Sequence, residues 1–95
     1  MTEKAMQNRQ VFISRFEAEI KELGSQIDDL EAKIEPESEL GAELSSLRAQ
    51  EQELRDRLQM LKQAQEEGWQ ELRPQVETAM RDCENSVADL AAKAD

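Results

Sequence analysis

Histidine and tyrosine are absent from this 95-residue chain, cysteine occurs once, and aromatic residues make up 3% of it. Without histidine the commonest general base is missing, so any catalysis would fall to carboxylates, Lys, Arg or the lone Cys83. A single thiol rules out an internal disulfide and fits a reducing compartment. Three aromatics beside 36% charged residues leave little material for a globular core, so burial has to come from seams between helices. Basic residues are outnumbered 12 to 22, and the net charge of −10 is spread along the chain. Residues 1 to 35 hold five basic and eight acidic groups, 36 to 67 four and eight, and 68 to 95 three and six. A protein that binds a phosphate backbone needs a basic stripe, and none is present, which argues against nucleic acid as a partner. The same deficit gives only weak support to a membrane surface as partner. No apolar run approaches bilayer-spanning length, and Met1 to Gln10 has no apolar segment of signal-peptide kind. These absences predict a soluble, cytoplasmic protein.

What is present is helix-forming. Ala, Glu, Lys, Leu, Arg and Gln dominate, with three Gly and two Pro. The apolar positions are mirrored about Ile34-Glu35-Pro36-Glu37-Ser38-Glu39-Leu40. Backwards from Ile34, steps of four and three give Leu30, Ile27, Leu23, Ile20, Phe16 and Ile13. Forwards from Leu40 they give Leu44, Leu47, Glu51, Leu54, Leu58 and Leu61. Two seams of this period, in phase across a short interruption, predict an all-α fold built on an antiparallel coiled-coil hairpin. Helix one is expected over about residues 3–34, a turn over about 35–38, and helix two over about 39–93. Pro36 drives the residue before it out of the helical region and suits the first position of a new helix, with Glu37 and Glu39 in its first turn. Layers of the hairpin pair Leu30 with Leu44, Ile27 with Leu47, Leu23 with Glu51, Ile20 with Leu54, Phe16 with Leu58 and Ile13 with Leu61. Arg9 then meets Gln65, and Met6 meets Gly68 and Trp69.

Beyond that point the first helix is used up while the apolar period continues. Leu61, Gln65, Trp69, Leu72, Val76, Met80, Cys83, Val87 and Leu90 follow at steps of four, four, three, four, four, three, four and three. The C-terminal part is a half-apolar stripe that needs a cover. Pro74 marks the fork. Proline inside a helix removes a backbone hydrogen bond and clashes with the carbonyl four residues back, so residues 68–74 hold either a kink in one long overhanging helix or a break. A continued helix would find its cover in a second chain; a turn would let residues 75 to 93 fold back as a third helix. The unbroken period through Trp69 and Leu72 favours the kinked helix.

The carboxylate clusters Asp28-Asp29, Glu66-Glu67 and Asp82 with Glu84 fit a solvated helix face, since neighbours one or two apart diverge around the axis. With one inward carboxylate, Glu51, no di-metal bundle is expected. We therefore expect no catalytic residue, no cofactor and no metal. Cys83 reads as a small buried hydrophobe in preference to an interchain link. Trp69 reads as a plug in the seam in preference to a partner anchor. Arg9 and Glu51 read as register-setting polar seam residues.

The stretch Leu61-Lys62-Gln63-Ala64-Gln65-Glu66-Glu67-Gly68-Trp69-Gln70-Glu71-Leu72-Arg73-Pro74-Gln75-Val76-Glu77-Thr78-Ala79 resembles a family of short bacterial coiled-coil stress-response proteins, sometimes described as apolipoprotein-like. The resemblance is carried by Leu-Lys, Ala, an acidic pair, Trp, Leu, a basic residue, Val-Glu and Ala at these spacings, with a weaker match over Ile27 to Lys33. The chain departs from the pattern at Gly68 and Pro74, where the family tends to have Ala, and at Met80 and Cys83, where it tends to have larger apolar residues. The resemblance implies a cytoplasmic, non-enzymatic role connected with stress. Together these readings predict an acidic, non-enzymatic interaction or structural protein. The expected partner is a second copy or another helical protein, held through Trp69, Leu72, Val76, Met80, Cys83, Val87 and Leu90. The alternative is an amphipathic membrane-surface or holdase-type chaperone role for the same stripe.

Overall fold

In the computed structural model, which describes the backbone of residues 2–94 and the side chains of 8–94 apart from that of Glu66, the chain forms three helices: α1 (Thr2–Lys33), α2 (Glu39–Gln63) and α3 (Glu66–Ala94). The fold is all-α, and α1 with α2 makes the expected antiparallel hairpin. Lys62 of α2 pairs with Glu17 of α1 near one end and Arg48 with Asp28 near the other, which sets the register. Ile20, Leu23, Ile27, Leu30 and Ile34 are buried, as are Leu44, Leu47, Leu54, Leu58 and Leu61.

The turn between them is built by local chemistry. Glu35-Pro36-Glu37-Ser38 closes through the Ser38 amide donating to the Glu35 carbonyl at 3.1 Å, with Pro36 at the second position, where its fixed φ is suited. Pro36 and Glu37 thus belong to the turn, and Glu39 is the first helical residue. Ser38 is the N-cap: its hydroxyl accepts from the Gly41 amide at 3.1 Å and donates to the Glu35 carbonyl at 2.7 Å. Gly41 is required by close approach, because a Cβ there would lie 2.4 Å from the Pro36 carbonyl oxygen and 2.6 Å from that of Glu35.

The overhang does not form. Instead of one long helix with a kink or break at 68–74, α2 stops at Gln63 and α3 starts at Glu66. The return helix lies antiparallel to α2, with Arg57 donating to Gln75 at 3.1 Å and Lys93 pairing with Glu43 at 2.7 Å. A continuous helix over residues 39 to 94 would be roughly 84 Å long at 1.5 Å per residue; the bundle is 52 × 17 × 16 Å. Pro74 lies inside α3 on its exposed side, where it leaves the Gln70 carbonyl without a helical donor. Folding back wins because it buries Val76, Met80, Cys83, Val87 and Leu90 within the same chain. Each apolar side chain fully buried is worth roughly 1.5–3 kcal/mol, against a few lost hydrogen bonds at the break.

Candidate interaction surface

The predicted stripe is the third wall of the core. Val76, Met80, Cys83, Val87 and Leu90 are at most 6% exposed, and Trp69 and Leu72 are half-buried against the same core. None of the five offers a surface in the closed bundle. The pairing of Met6 with Gly68 and Trp69 involves a side chain outside the described residues.

At the end of the bundle where α3 begins, Trp69 meets Phe12 of α1 edge to face at 5.7 Å, and Phe12 meets Phe16 at 4.2 Å. The Arg73 guanidinium lies over both rings, 4.9 Å from Phe12 and 5.5 Å from Trp69, and is held there by Glu77 at 3.0 Å. The Trp69 Nε1 hydrogen is buried and finds no acceptor among the described residues. Phe12 was outside the expected seam, which used Ile13; Phe12 is the buried one and Ile13 is half-buried. A third helix recruits the position beside the two-helix seam, and an aromatic there was the available signal.

Midway along the bundle a polar layer interrupts the core. Glu51 is 7% exposed, and its carboxylate accepts from Arg48 at 3.1 Å and from Arg55 at 3.0 Å. Arg48 also reaches across to Asp28 at 2.5 Å and to Glu31, so one guanidinium ties α2 to α1. The hydrogen bonds it donates, first to Asp28 and then to Glu31, raise its pKa, so it stays protonated even more firmly than an ordinary arginine. Gly24 makes room for this cluster: a Cβ would stand 2.9 Å from a Glu51 oxygen and 3.1 Å from Arg55 Nη2. On the α3 side, burial and then the charges of Glu51 and Glu84 push the Cys83 thiol pKa up, which keeps it protonated and unreactive. Asp29, Asp82 and Glu84 are exposed, and among the described residues no three His, Cys, Asp or Glu side chains converge as a metal site.

The connection between α2 and α3 differs in kind from the turn. Ala64 takes an extended conformation, with φ −71° and ψ 148°, and its amide reaches back to the Leu61 carbonyl at 3.3 Å. Gln65, expected on the seam, is exposed; its carbonyl accepts the Trp69 amide at 2.8 Å and so opens α3. The carbonyls at the end of α2 are taken by Arg9 of α1. Its Nη2 donates toward the oxygens of Leu61 at 2.9 Å, Lys62 at 3.0 Å and Ala64. Arg9 was expected to face the Gln65 side chain; it caps the backbone there, a contact that side-chain periodicity does not encode.

Comparison with protein-family models finds no match, and none is found among curated proteins or solved structures. No helix of the described residues is long and apolar enough to cross a membrane.

Proposed function

We propose that this protein is a non-enzymatic helical interaction module whose working element is α3, core when the bundle is closed and contact surface when α3 leaves the hairpin. The observation that carries this reading is the mismatch between the connection and the pattern. The helical spacing from Leu61 to Trp69 keeps its steps of four across the polar Gln65, yet the chain is bent there. Both residues are good helix formers, so local sequence does not oppose a straight helix. A stripe that would serve equally in a broken or a continuous helix suits exchange of one helical cover for another. Its setting, a cytoplasmic response to stress, is proposed on the resemblance of residues 61 to 79 alone.

The test uses photo-methionine at position 80, isosteric with the native side chain, in a chain whose Met6 and Met60 are replaced by leucine. Met80 is 3% exposed, so it reaches another molecule only when α3 opens. Crosslinking in cells is expected to give species joining two protein chains through the Met80 peptide. Adducts only within one chain would contradict the reading, and adducts to lipid would transfer it to the membrane-surface alternative.

A further inference from the structure

We infer that the partner of α3 is a second copy of this chain, gained by straightening the Ala64–Gln65 connection and exchanging α3 between two hairpins, with Arg9 as the latch that holds the connection bent. This rests on the reading of α3 as a detachable element and names what takes its place.

In a continuous helix the amides of Gln65, Glu66 and Gly68 would bond the carbonyls of Leu61, Lys62 and Ala64, four residues back. Those are the three oxygens that the Arg9 guanidinium holds. The bent connection and the straight helix therefore compete for the same acceptors, and Arg9 decides for the bent form from outside the segment. Once it lets go, no Gly, Pro or positive φ at 64 or 65 enforces the bend; what is left locally is the Ala64 amide on the Leu61 carbonyl, an acceptor that the straight helix reassigns to Gln65, and the Trp69 amide on the Gln65 carbonyl, which the straight helix keeps.

Straightening carries α3 away from its own hairpin and leaves a groove between α1 and α2. What fits that groove is specified by what left it: an antiparallel helix with Val76, Met80, Cys83, Val87 and Leu90 on one face, a thiol at the level of Glu51, and the equivalents of Gln75 and Lys93 opposite Arg57 and Glu43. Another copy's α3 meets every requirement, so each contact of the closed bundle is remade between chains and only the two hinges change. The antiparallel register of α2 and α3 lets two straightened helices run side by side with the hinges near a two-fold axis.

The experiment places spin labels at the exposed positions Gln52 and Arg81 in a Cys83→Ala chain and dilutes this chain into excess unlabelled protein, so that only distances within one chain are read. At a few hundred micromolar we expect a dimer by sedimentation and a 52–81 distance of about 44 Å, the length of 29 helical residues. The dilute monomer should give the short distance of two adjoining helices. Arg9→Ala should strengthen the dimer about tenfold per hinge, roughly a hundredfold in all. Glu66→Pro should abolish it: proline suits the first position of α3 but cannot donate to Lys62 in a straight helix. A dimer that keeps the short distance would overturn the exchange. Monomers throughout, in wild type and Arg9→Ala alike, while the native Cys83 is alkylated faster than the protein unfolds globally, would overturn the second copy as partner and leave the detachable α3 standing. Alkylation of Cys83 only at the global unfolding rate would overturn both.

Discussion

The two connections of this bundle make the same kind of reversal by opposite means. Between α1 and α2 the chain turns by means within the segment itself: Pro36 sets a dihedral, Ser38 caps, and Gly41 leaves space for the backbone above it. Between α2 and α3 it turns with no Pro or Gly at the two connecting residues: burial of α3 against the hairpin drives the reversal, and Arg9, more than fifty positions away, takes the freed carbonyls. The first reversal is a property of the segment. The second belongs to the assembled bundle, since Ala64 and Gln65 are themselves good helix formers.

Substitutions separate the two reversals. The largest effect is expected in α3: Val76→Asp buries a charge at a site with no exposure and should cost about 4 kcal/mol or more, melting all three helices together. If α3 were a dispensable overhang, urea denaturation followed by circular dichroism would show the α1–α2 hairpin melting unchanged. Val11→Asp, at a site 67% exposed, serves as the control and should stay within about 0.5 kcal/mol. Next comes Gly41→Ala, whose Cβ strikes the Pro36 carbonyl and should cost about 1–3 kcal/mol in the same measurement. The outer hinge answers with Arg9→Ala. Loss of a charged donor from three carbonyls at a half-exposed site should cost the dilute monomer about 1–2 kcal/mol. Ser38→Ala should cost about 1 kcal/mol through the lost cap.

The smallest effect concerns pH. The Cys83 pKa is raised on folding above its ordinary 9.0, by burial first and then by Glu51 and Glu84. The unfolded thiol therefore loses its proton at lower pH than the folded one. Its contribution to stability is complete below about pH 9 and falls as pH rises through the folded value. Cys83→Ala should flatten the alkaline decline in stability relative to wild type. An identical decline in both would remove the thiol from the account.

The hairpin was legible because its determinants are local or periodic. The turn was expected over about 35–38; in the structure α1 ends at Lys33 and α2 starts at Glu39, with Ile20 through Ile34 and Leu44 through Leu61 buried between them. Glu51 was legible as an inward polar residue, but its partners Arg48 and Arg55 and the space left by Gly24 depend on packing. The stripe from Val76 to Leu90 was legible as apolar and in need of cover, and its cover proves to be the same chain. The break was not legible, because Ala64 and Gln65 carry no helix-stop signal and Pro74, which does, sits within α3. Phe12 was missed for a related reason: a two-helix seam uses one stripe of α1, and the third helix claims the residue beside it.

The most direct test of the externally held reversal is amide hydrogen exchange in dilute protein at Gln65, Glu66, Glu67 and Gly68. In the bent connection these four amides precede the first helical bond of α3, which begins with Trp69, and they should exchange close to the rate of an open chain while Val76 to Leu90 are strongly protected. Protection at residues 65 to 68 matching that of α2 and α3 would mean an unbroken helix across the connection, and would contradict both the three-helix bundle and the role of Arg9.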